Sequence, residues 1–93
     1  MYSPYWSAEA QVNTAQVLQE MSRFGEAREL LETCIGRTPE HAEAHRSLAE
    51  CLHAMGKDDE ALAAASRAVA LDPKLAAAFL TRAGILESMM RDS

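Results

Sequence analysis

His41 and His45 stand four residues apart, a spacing that puts two imidazoles on one face of a helix, where a metal ion could take both as ligands. A third ligand at a matching spacing is missing. Cys51 and His53 raise a second possibility, a thiolate activated by an imidazole. Residues two apart on a helix point in different directions, so this pair does not meet if its segment is helical. The run Asp58-Asp59-Glu60 could attract a cation, but it stands where a helix would begin, and there carboxylates cap the backbone and oppose the positive helix end. Four scattered glycines make no phosphate-cradling loop. These side chains read as packing and capping groups, with His45 half-buried and His53 at a surface. No enzyme, metal site or cofactor is expected.

The elements that hold these residues follow from composition and punctuation. Ninety-three residues make one small domain with a thin core, and 48% apolar content with only 5% aromatic residues, much of it alanine, suits close helix-on-helix contact. A formal charge of −5 offers no cationic surface for phosphates or anionic lipid, so neither nucleic acid nor membrane is an expected partner. No apolar run reaches the roughly 18–20 residues that span a bilayer, and the opening Met1-Tyr2-Ser3-Pro4-Tyr5-Trp6 lacks the basic and apolar parts of a secretion signal. A cytoplasmic chain is the expectation, with Cys34 and Cys51 as buried, reduced thiols.

Pro39 and Pro73 close helices, because proline cannot continue one and the residue before it avoids the helical region. Met55-Gly56 supplies a left-handed stop, Ser7 a first cap and Asp58 a later one. The pattern predicts helices over 8–21, 25–37, 41–55, 58–71 and 75–90, joined by links short enough to force antiparallel neighbours. Within them His45, Leu48, Ala49 and Leu52 form one stripe, and Ala61, Ala65, Ala68 and Val69 another. Leu48 is expected to be buried between hairpins.

The chain also repeats itself at a period of 34. Glu26-Ala27-Arg28-Glu29-Leu30-Leu31 recurs as Glu60-Ala61-Leu62-Ala63-Ala64-Ala65, and Thr38-Pro39 recurs as Asp72-Pro73. Ala8-Glu9-Ala10, Ala42-Glu43-Ala44 and Ala76-Ala77-Ala78 start three copies in one register. The division is a leading segment 1–7 with Tyr5 and Trp6 as an end cap, a first repeat 8–41, a second 42–75, and 76–93 as the first helix of a third with its tail. A lone hairpin cannot cover its own stripes, so the hairpins must stack.

With His45, Leu48, Ala49, Leu52, Ala61, Ala65, Ala68 and Pro73 at their places, the second copy resembles the tetratricopeptide repeat; the first keeps Ala15, Leu18, Ala27, Leu31 and Pro39, with Gln11 and Thr14 as departures. The third shows Phe79, Ala83 and Leu86, with Arg82 where an apolar residue is usual. The resemblance spans about residues 8–88. It implies an all-α fold of antiparallel helical hairpins stacked as a right-handed superhelical solenoid, and a non-enzymatic scaffold that binds a protein or peptide.

The resemblance also implies a concave groove lined by the first helix of each hairpin. Helical spacing then selects Glu9, Val12, Gln16 and Gln19, next Glu43, Arg46, Glu50 and His53, and finally Ala77, Leu80, Gly84 and Glu87, of which Leu80 and Gly84 are the expected contacts on the last helix. Relatives that grip acidic chaperone tails carry cationic and amide clamps, whereas Val12, Gln16, Ser47, Ala77 and Thr81 stand at those positions here. Such a tail is not the expected ligand. Two further readings are self-assembly and service as an accessory domain of a larger protein. For self-assembly, Ala83, Leu86 and Met90, with Ile85 and Met89 beside them, are expected to lie open and to make a homodimer through the last helix.

Overall fold

The computed structural model describes residues 7–91, which form five α-helices: α1 (Ala8–Glu20), α2 (Phe24–Arg37), α3 (Ala42–Ala54), α4 (Asp58–Leu71) and α5 (Ala76–Arg91). The roles expected of Tyr5, Trp6 and the final two residues lie outside the described residues. Ser7 caps α1 as its type suggests, its backbone extended and its hydroxyl accepting from the Ala10 N–H at 3.2 Å. Asp58 does not cap α4. It is already the first helical residue, because the Lys57 N–H closes the preceding turn onto the Leu52 carbonyl at 2.9 Å and starts the helix one residue early. The Asp58 carboxylate accepts instead from His53 Nδ1 at 2.8 Å, tying the start of α4 to the end of α3.

The links repeat with the sequence. Thr38 and Asp72 end α2 and α4 with similar extended φ values of −137° and −141°, each just ahead of its proline. At the other turn Ser22 and Gly56, 34 positions apart, both adopt positive φ, at 62° and 80°. Glycine takes this left-handed backbone without strain and serine does not.

Short links lay α1 against α2 and α3 against α4. The hairpins then join through α2 on α3 and α4 on α5, while α1 meets α3 and α3 meets α5. Thus α1, α3 and α5 form a continuous inner row, whereas α2 and α4 do not pack on one another. Closer spacing within the inner row curves the array toward it, in a body of 49 × 28 × 18 Å.

The interior is built on small residues. Among the described residues, eight of the fourteen buried hydrophobic ones are alanine, which lets backbones approach closely. One cluster joins Val12, Ala15, Ala27, Leu31, Cys34, Ala44 and Cys51; the other joins Ala49, Leu52, Ala61, Ala65 and Ile85. Leu48 is only half-buried, but it touches both clusters and so links them. His45, on the buried stripe, donates Nε2–H to the Pro39 carbonyl at 2.8 Å, which anchors the link between the hairpins.

Candidate partner-binding face

The inner row carries a line of open, shallow depressions. One lies over the first turns of α1 and α3, where Glu9, Val12 and Glu43 meet Asn13 and His41. A second, of about 370 Å³, is walled by Gln16, Gln19 and Glu20 of α1, Phe24, and Arg46 and Glu50 of α3. Between α3 and α5 a third holds Glu50, His53, Leu80 and Gly84, with Thr81 and Ile85 beneath. The line ends where His53 and Gly84 meet Glu87 and Arg91. Each residue selected by helical spacing except Ala77 touches one of these depressions. Val12 is nevertheless core, only 4% exposed, because adjacent first helices pack directly and it belongs to the cluster that contains Ala44 of α3. It forms floor where an open contact was expected.

Charge on this face is organised by Arg46. Its guanidinium reaches Glu50 at 2.7 Å and Glu43 at 3.0 Å, with the side chain only 12% exposed. The two carboxylates are therefore half-neutralised, and the triad keeps a net negative charge. Glu9 and Glu20 make no ion pair among the described residues. Gln16 Nε2 and Gln19 Nε2 donate to Ser47 Oγ at 3.4 Å and Ser47 O at 3.2 Å. Two of the would-be clamp positions thus satisfy one another across the α1/α3 seam.

Two of the three histidines that might have done chemistry are occupied, His45 spending Nε2–H on Pro39 and His53 Nδ1–H on Asp58, while His41 Nε2 is buried with no hydrogen-bond partner among the described residues. Among the described residues no three of His, Cys, Asp and Glu gather where a metal could bind. Cys34 and Cys51 are unpaired and buried, their thiols donating to the carbonyls of Ala8 and Phe24 at 3.8 and 3.1 Å. Burial holds both thiols above their ordinary pKa, opposed by the positive charge of Arg37 for Cys34 and of Arg28 for Cys51. A protonated, buried thiol is a poor nucleophile.

At the far end of the array the residues expected to lie open divide. Ile85 is 1% exposed, packed with Ala61 and Ala65 of α4, and Met89 leans on the same cluster. Both turn inward because the neighbour of that side of α5 is the preceding α4 rather than a following helix. Leu86 and Met90 are exposed as expected, at 37% and 77%, together with Phe79.

Phe24 and Glu20 escaped the spacing rule. Phe24 was placed one residue before α2, yet it is the first residue of that helix and reaches the face from the hairpin turn, so counting along first helices alone could not find it. An aromatic residue beside the Met21-Ser22 turn was the available signal.

A helical array with its hairpins in 34-residue register matches one family model, described as tetratricopeptide repeat, over residues 12–81. The chain belongs to the tetratricopeptide repeat family. Tetratricopeptide repeats are generally non-catalytic and mediate protein–protein interaction, and the helical-hairpin solenoid is their fold. No curated protein matches the chain. Among the described residues no helix is long and apolar enough to cross a membrane.

Proposed function

We propose that this tetratricopeptide repeat chain is a non-enzymatic scaffold that holds a segment of another protein along the face of α1, α3 and α5. The observation that carries this reading is the succession of depressions along α1, α3 and α5 whose lining, Val12 and Ile85 apart, is not sealed in the core. The excess of carboxylates favours a segment bearing Lys or Arg, with an apolar side chain near Leu80. With the overall charge of −5, the same excess argues for protein over nucleic acid. Two free buried thiols support a reducing, cytoplasmic setting.

Gly84 offers a test that unfolding cannot mimic. A Cβ there would meet nothing within 4 Å, so packing does not demand glycine in mid-helix, where it costs roughly 0.5–1 kcal/mol relative to alanine. A segment lying close to the α5 backbone would demand it. A partner captured from lysate and mapped to a short peptide should bind Gly84→Ala less tightly although that variant melts at a higher temperature. Glu43→Lys with Glu50→Lys, which turns the Arg46 triad positive, should weaken it further. Unchanged affinity in both variants would remove the groove from consideration.

Self-association is a second reading, favoured by Phe79, Leu86 and Met90 exposed along one side of α5. A partner-binding face and a self-association face lie on different sides of this helix, so both can operate.

A further inference from the structure

Phe79, Ala83, Leu86 and Met90 follow one another at spacings of four, three and four, which aligns them as a single seam along α5, and all four are exposed. The 34-residue register says what kind of surface this is. One period earlier the same positions are His45, Ala49 and Leu52 on α3, and all are buried, Ala49 and Leu52 in one cluster with Ala61 and Ala65 of α4. Two periods earlier they are Gln11, Ala15 and Leu18, buried or half-buried, with Ala15 clustered with Ala27 and Leu31 of α2. The seam is therefore a seat for an antiparallel helix.

The fourth position departs from the hairpin plan. In the first two copies it is Ser22 or Gly56, whose left-handed backbone turns the chain back to lay down the covering helix. In the third it is Met90, still helical, and α5 runs to 16 residues where α1 and α3 have 13. The residue that would make the turn is replaced by one more apolar side chain on the seat.

We infer that a second copy of this chain fills the seat, α5 pairing antiparallel with α5; this rests on the self-association reading and specifies its geometry. A four-three-four spacing reads the same from either end, so the seam is its own complement across a two-fold axis level with Gly84 and Ile85. Phe79 of each copy then stands level with Met90 of the other, and Ala83 with Leu86. Arg82 stands level with Glu87, so no like charges are set at one height. Ile85 stays in its own core, and the groove beside Leu80 and Gly84 stays outside the seam.

Sedimentation of the native chain at about 100 μM should show a dimer, since association is driven by concentration. Leu86→Glu with Met90→Glu should give a monomer with unchanged helical circular dichroism. Mixing Ala83→Cys and Leu86→Cys chains under mild oxidation should link the two variants to each other well above the self-linking of either one. A native monomer at that concentration overturns both this pairing and self-association. A dimer that survives the double Glu variant, or that links Ala83→Cys mainly to itself, overturns the antiparallel α5 seam and leaves self-association standing.

Discussion

Where the first hairpin meets the second, the bulk comes from Leu31 on α2 and the small neighbour in its cluster is Cys51 on α3; where α4 meets α5, Ala65 holds the place of Leu31 and Ile85 that of Cys51. All four are sealed from solvent. The two joints occupy the same register position with opposite allocations of volume between the helices. What the repeat keeps constant is the filled space of a joint rather than the residue at either side of it, as expected where interiors tolerate exchanges that conserve volume.

The most damaging way to break this comparison is to empty a joint from its larger side. Leu31→Ala and Ile85→Ala should each cost roughly 2–5 kcal/mol, the transfer energy of the lost side chain plus a cavity, read as a shift in urea midpoint. A much smaller loss for Ile85→Ala would mean that α5 is loosely docked and the joints are not alike.

Moving the bulk sharpens the comparison. Ala65→Leu alone overfills the second joint and should cost about 1–3 kcal/mol. Adding Ile85→Cys recreates the allocation of the first joint, so the double variant should be more stable than the sum of the single changes, with a coupling of about 0.5–3 kcal/mol. Strict additivity would show that residues 65 and 85 do not share a space.

The smallest expected effect lies in the two hairpin turns. Ser22 holds the left-handed backbone that Gly56 holds in the next copy, so Ser22→Gly should stabilise the chain by about 0.5–1 kcal/mol, the relief of strain less the extra freedom of the unfolded glycine. Gly56→Ala should destabilise by a similar amount in the thermal melt. An unstable Ser22→Gly protein would show that the serine side chain, rather than the turn, matters there.

The five helices and their order were legible in the chain, with every end placed to within one residue, because prolines, caps and the 34-residue period are local signals read along the backbone. The rows Glu9 to Gln19, Glu43 to His53 and Leu80 to Gly84 were legible for the same reason, since equal spacing on equivalent helices sets equivalent faces. Burial at those positions was not. Val17, Cys51 and Ile85 hold one register position, yet Val17 is 53% exposed and the others are sealed, because that side of a first helix packs on the second helix of the preceding hairpin and no described helix precedes α1. Leu18, Leu52 and Leu86 hold another, and only Leu86 lies exposed, because that side is covered by the helix that follows in the same hairpin. Likewise Val12 sank into the floor of the groove, and Arg46 rather than an outside cation came to sit between Glu43 and Glu50. Periodicity determined by itself which way each side chain points from its own axis. Only the tertiary structure decided what stands opposite it, since burial and charge neutralisation depend on groups brought near through space from elsewhere in the chain.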